Sequence, residues 1–252
     1  PGIMNSLLSR LLLACLVLAP CASLAAEDSP PRNAITEYGQ RVALNGAARC
    51  GAGDAITLDV PLTAETTVTY DAASERLRIF YPMQFNELTE GWNWHPEEVA
   101  AGRDYYTYKY LLLGSTHETR GSYRTSDLAG QPLEYPIQWR YDYFFAFDNP
   151  YDFYPRDAGD DAGFAAEIPL PPRDANRLLA GDLRMALHGR LRSDCLSEST
   201  TFWKATVSAP VDFTLKKRYL IGRLEEVWYY DAVTGKVLAR LPADFKKSGQ
   251  GN

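Results

Sequence analysis

Six carboxylate or carboxamide side chains fall within fourteen residues of this chain: Asp148, Asn149, Asp152, Asp157, Asp160 and Asp161, interrupted by Arg156. Hard oxygen donors of this kind suit Ca²⁺, which takes about six to eight of them, and clustered carboxylates repel one another unless a cation or solvent screens them. A calcium reading therefore names Asp148, Asp152, Asp157, Asp160 and Asp161 as ligands. The spacing matches no EF-hand or nonapeptide repeat, and a solvated, turn-rich loop accounts for Asp-Ala-Gly-Asp-Asp-Ala-Gly equally well. No other cofactor is expected.

The remaining chemistry-bearing residues are sparse. The chain has three histidines, His95, His117 and His188, and no two of them stand at the short spacing of a zinc or copper motif. Gly-x-Ser-x-Gly, a phosphate-cradling glycine loop, His-Glu-x-x-His and Cys-x-x-Cys are all missing. A carbohydrate lyase or hydrolase can work with a tyrosine or a carboxylate pair and an arginine that leave no local signature, and carboxylates and tyrosines abound here. Abundance alone ranks catalysis below binding. Two of the four cysteines, Cys50 and Cys195, lie outside the N-terminal segment, and in an exported chain two cysteines pair more often than not. A Cys50–Cys195 disulfide is expected.

Aromatic residues offer the other chemistry. Between Tyr135 and Tyr154, ten of twenty residues are aromatic. Tyrosine and tryptophan combine an apolar body with a polar tip, which suits protein interfaces and sugar-stacking platforms. Those outside strands are the best candidates for exposure, so Trp92, Trp94 and His95 in one loop and Tyr151 and Tyr154 in another are the expected binding residues. Tyrosines within strands read more simply as the lining of a core.

The elements that must position these residues are nearly all strands. Ile137, Trp139, Tyr141, Tyr143, Phe145 and Phe147 share one parity, with Gln138, Arg140 and Asp142 on the other, which predicts a strand with one face committed to the core. Alternation also predicts strands at 56–60, 105–113, 117–124, 164–170, 183–191, 201–208, 211–221 and 226–230. Hairpins turn at Asp71-Ala72-Ala73-Ser74 and at Ala232-Val233-Thr234-Gly235, the second entering a strand over 236–241. Helical turns are expected after Pro96 and over 173–180, where proline enters and glycine closes. About ten short strands with almost no long helix predict an all-β fold: an antiparallel β-sandwich, or a partly closed barrel, with two short helices in connecting loops.

Residues 1–25 read as a signal peptide: Arg10, an apolar run from Leu11 to Leu18, then Ser23-Leu24-Ala25 at a cleavage site, with residues 1–3 preceding Met4. The apolar stretch is short and contains Pro20, so a membrane span is disfavoured. Leu18-Ala19-Pro20-Cys21 departs from a lipobox at Pro20, which ranks lipid anchoring through Cys21 second. Residues 26–245 are expected to form a single β-sandwich domain, or two fused sub-sandwiches, followed by a disordered tail over 246–252. The net charge is −6, with no dense Lys/Arg stripe, which argues against nucleic acid; Lys216-Lys217-Arg218 reads as a solvated strand end. The function expected is that of a periplasmic or secreted, non-catalytic envelope protein that binds a protein partner. A glycan-binding module or a carbohydrate-active enzyme is the alternative.

Overall fold

The computed structural model describes residues 52–83 and 108–244. Nine strands are found there: β1 (Ala55–Val60), β2 (Thr67–Asp71), β3 (Arg76–Pro82), β4 (Lys109–Ser126), β5 (Pro132–Phe147), β6 (Gly163–Pro169), β7 (Leu183–Trp203), β8 (Asp212–Asp231) and β9 (Val237–Pro242). The helix expected around 173–180 is present as α1 (Pro172–Arg177), continued by a looser turn over Leu178–Asp182 that ends where Gly181 takes φ +121°. Glycine is the residue that adopts this backbone without strain. The helical turn expected after Pro96 lies outside the described residues, as do Cys50, Trp92, Trp94 and His95.

β8 organises the larger sheet. Its partner along one whole side is β7, antiparallel from Trp203–Phe213 to Leu183–Asp231. On the other side the first half of β8 pairs with β5 and the second half with β9. β4 extends the sheet beyond β5, and β1 beyond β7, giving the order β1-β7-β8-β5-β4 with β9 on β8. The β5–β8 pairing is parallel, with Ile137 opposite Asp212 and Phe147 opposite Gly222. The sheet is therefore mixed, which corrects the antiparallel expectation. A parallel pair needs a crossover between its strands, here supplied by β6, α1 and β7. β1 and β4 approach each other without pairing, so the sheet is not a closed barrel. β2, β3 and β6 form a separate antiparallel sheet.

Strand pairs read as separate in the sequence are continuous in the fold. β7 carries the strand expected over 183–191 on into the one expected over 201–208, which ends early at Trp203, and β8 joins those expected over 211–221 and 226–230, with shifts of register rather than breaks. Gly189 sits at one bulge, where a Cβ would come within 2.3 Å of the Arg223 carbonyl oxygen. Backbone cannot yield as a flexible side chain can. Gly189→Ala is expected to lower the unfolding free energy by about 2–3 kcal/mol, measured by chemical denaturation.

Both sheets feed one apolar cluster: Leu77 and Ile79 of β3 and Phe164 and Ile168 of β6 meet Leu111, Phe145, Phe147, Met185, Leu187, Val227 and Tyr229 of the larger sheet. Each fully buried side chain of this size contributes about 1.5–3 kcal/mol of transfer free energy. Tyr229 is fully buried and its hydroxyl donates to the Phe164 carbonyl at 2.7 Å, fixing one sheet against the other.

The two hairpin turns are built alike. Asp71 accepts from the amides of Ala73 and Ser74 and from the Ser74 hydroxyl. Asp231 does the same for Val233, Thr234 and the Thr234 hydroxyl. Asp231 is also buried and takes both guanidinium nitrogens of Arg177, at 2.8 and 2.5 Å, so the turn is tied to α1. The Arg177 hydrogen bond, followed by those of Thr234 and Val233, holds its carboxyl well below the usual carboxylate range. A depressed folded-state pKa stabilises fully above the unfolded value near ~4 and loses that contribution as pH falls toward the folded one. The melting-temperature advantage of wild type over Asp231→Asn is therefore expected to be largest at neutral pH and to shrink steadily below about pH 4.

Candidate functional site

The side chains of β5 point alternately to two faces, but its two ends lie in different surroundings, and from Asp142 to Phe147 both faces are buried. Tyr143, Phe145 and Phe147 are buried in the shared core, whereas Trp139 and Tyr141, on the same face, are half-buried. The sequence had assigned this whole strand to the core; its first half is instead part of a partly open surface. Phe144 and Ala146 on the opposite face are buried too, in a cluster with Tyr108, Tyr219 and Ile221.

Cations from both neighbouring strands converge on Trp139 and Tyr141. From β4, the Arg120 guanidinium stands 3.8 Å from the centre of the Trp139 ring and donates to the Tyr141 hydroxyl at 2.7 Å and to Glu118 at 2.9 Å. From β8, Lys216 lies 5.7 Å from the Trp139 ring and Arg218 lies 4.7 Å from that of Tyr141. Glu198 of β7 accepts from Lys216 Nζ at 2.6 Å and from Arg218 Nε at 2.7 Å. Burial would raise the Glu198 carboxyl, but the hydrogen bonds and positive charges of Lys216 and Arg218 together outweigh it and hold the group below its ordinary range. Four adjacent strands thus present Glu198, then Lys216 and Arg218, then Trp139 and Tyr141, then Glu118 and Arg120. The result is an aromatic centre with a charged, ion-paired margin.

Sequence reasoning missed the cationic half of this face. Lys216-Lys217-Arg218 is not a solvated run: Lys216 and Arg218 engage the aromatic rings, all three residues are half-buried, and alternation places Lys217 on the opposite face. The signal was present in Thr214-Leu215-Lys216-Lys217-Arg218-Tyr219-Leu220, where period two assigns Lys216 and Arg218 to the face of Leu220. What no spacing could supply was that β5 is the neighbour.

The acidic segment does a different job. Asn149 is buried and pairs with both backbone groups of Leu224: its Nδ2 donates to the carbonyl at 2.8 Å and its Oδ1 accepts the amide at 2.9 Å. Asp152, also buried, accepts from Asn149 at 2.9 Å and from Arg223 at 2.8 Å. Asp148 accepts from Arg192 at 3.4 Å; burial pushes its carboxyl up, against the pull of Arg192 and Arg223. Asp157, Asp160 and Asp161 are exposed. The five proposed calcium ligands are therefore split between arginine-paired and solvent-facing positions, and no group of three or more His, Cys, Asp or Glu among the described residues is placed to hold a metal. Tyr154, expected at the surface, is drawn into the core at 4% exposure against Phe164, because a short 3₁₀ turn over Pro150–Asp152 directs it inward. Tyr151 is half-buried with Arg156 over its ring at 4.7 Å.

Set against family models, curated proteins and solved structures, the chain matches none. The described helices include none long and apolar enough to cross a membrane. His117 is exposed, and His188 stacks on Trp228 at 5.0 Å while bonding Thr57 at 3.0 Å.

Proposed function

We propose that this is an exported, non-catalytic envelope protein that binds a protein partner through the open face formed by Arg120, Trp139, Tyr141, Lys216 and Arg218. The observation that carries the reading is the half-buried Trp139–Tyr141 pair bordered by arginine and lysine on two strands. Tryptophan, tyrosine and arginine are the residues that dominate binding energy at protein interfaces, surrounded by a polar margin. Glycan recognition is less well supported, since a sugar needs a bare ring and the guanidinium of Arg120 already stacks on Trp139. Catalysis is less well supported because Glu118 and Glu198 are engaged with Arg120, Lys216 and Arg218.

The proposal includes export by the N-terminal leader, release into the periplasm or medium, and a sandwich-like arrangement of the two sheets tied by Cys50–Cys195. Cys195 is 1% exposed and disulfide-bonded, which supports that pairing, as the other cysteines Cys15 and Cys21 fall in the leader segment. The test is capture from envelope extract by the wild-type chain, by Trp139→Ala and by Tyr151→Ala, with mass spectrometry of what is retained. A protein retained by wild type and Tyr151→Ala but lost with Trp139→Ala supports the reading. Equal retention by all three, or binding only to an array of glycans, overturns it.

A further inference from the structure

The half of the larger sheet that carries Trp139 has two edges, β4 and β7. β4 is blunted as natural edge strands are. Glu118, Arg120 and Arg124 are charged, and the ladder shifts between Thr119 and Ser122, where Gly121 takes φ +95°. On the outer side of β7, β1 reaches only as far as Leu191, whose backbone bonds Gly53 and Asp54. From Leu196 to Trp203 no strand among the described residues pairs on that side.

This second edge lacks the devices of the first. Its register against β8 runs from Leu196 to Trp203 without a shift, and the segment contains no glycine, proline or lysine. Phe202 is 55% and Trp203 49% exposed, beside the exposed Thr200 and Thr201. Such residues favour extended backbone, and an open, regular edge takes one class of ligand, another extended strand. The charges say which strand fits. Glu198 is the only ionisable side chain between Leu196 and Trp203, and Lys204 follows directly, so the two stand equally far from Thr201. An antiparallel copy of the segment, turned about a two-fold axis through Thr201, therefore sets each Glu198 opposite a Lys204. The same axis sets Thr200 opposite Phe202 and Thr201 opposite itself. Opposite charges, an aromatic ring against a β-branched residue and paired threonines are all favourable across strands. An axis through Thr200 would oppose Glu198 to Phe202, and one through Ser199 would bring Trp203 onto the disulfide-bonded Cys195.

We propose that two copies of this chain join edge to edge through residues 198–204, making one continuous sheet across a two-fold axis at Thr201. Joining ends growth at this half of the sheet, because each copy then presents only the blunted β4 at the outside. The dimer is also bivalent. Phe202, Thr214 and Trp139 lie in one row across β7, β8 and β5, and a two-fold perpendicular to the sheet keeps both rows on the same side. Two Trp139 faces then point in one direction. The association itself does not depend on that face binding a partner.

The test is sedimentation velocity of the purified chain over a concentration series, with variants of the exposed Thr201. The wild-type chain is expected to sediment as a dimer. Thr201→Lys sets two lysines face to face on the axis and should raise the dissociation constant about tenfold or more at an unchanged melting temperature. Thr201→Cys should form an intermolecular disulfide on mild oxidation, seen as a doubled mass without reductant. Thr119→Cys, on the β4 edge, should not. Trp139→Ala should leave the dimer intact, which separates this result from partner capture. A chain that stays monomeric at every concentration overturns the proposal and assigns the edge to a foreign strand or to another part of the same chain. A dimer undiminished by Thr201→Lys, or equal cross-linking by the two cysteine variants, overturns it as well.

Discussion

Asn149→Ala is expected to lower the unfolding free energy by about 3–5 kcal/mol, read as a shift in denaturant midpoint at unchanged slope. The side chain is buried and supplies the hydrogen bonds that a neighbouring strand would otherwise give to Leu224. β5 leaves the pairing at Gly222 and β9 joins it at Glu226, so Asn149 fills the gap between two partners on one edge of β8. Alanine would strip partners from the buried amide and carbonyl of Leu224 and from Asp152, each costing about 1–3 kcal/mol. Asn149→Asp should fare little better, since it loses the donor and adds a charge beside Asp152. Asp157→Ala and Asp160→Ala, on the exposed side of the same segment, are expected to change stability by less than about 0.5 kcal/mol.

Trp139→Ala is expected to weaken capture of the partner by about thirtyfold, close to 2 kcal/mol, while leaving the melting temperature nearly unchanged. The ring is half-buried and outside the main core, so its removal takes little from folding. It does take away the apolar centre on which Arg120 and Lys216 are arranged. Arg120 would then be held by Glu118 and Tyr141 alone. Phe147→Ala is the contrasting variant. That ring is fully buried, and its loss should cost about 3–5 kcal/mol of stability. Separation of the two effects, in a titration with the captured partner and in a thermal melt, distinguishes a binding residue from a core residue on the same strand.

Local pattern in the sequence was sufficient where neighbours in the chain are neighbours in space. The hairpin of β2 and β3, the strand β6, helix α1 and the turn at Asp231 all lie within a few residues of expectation, because alternation, proline entry and Asp-capped turns are short-range effects. The lengths of β7 and β8 were not legible. Gly189 and Gly222 each permit close approach to a facing strand, which only the paired sheet reveals. The parallel pairing of β5 with β8 left no trace either, since direction and partner are decided by long-range packing. The site shows the same division. Aromatics were visible as a class, but which of them stay at the surface depended on how far the core extends along β5. Tyr154 went inward and Trp139 remained half-open for that reason.

The parallel pair also sets an order of events. β4 and β5 can zip together as a hairpin as soon as both exist, but β5 keeps its other edge unpaired until residues 212–222 have been made. For that interval the most aromatic strand of the protein presents open amides and carbonyls to any passing strand. Closure must then draw together segments about 75 residues apart, a slow step by its loop length. Molecules interrupted before β8 would be those most prone to stick to one another. Pairing of β5 with the first half of β8 is what ends that exposure.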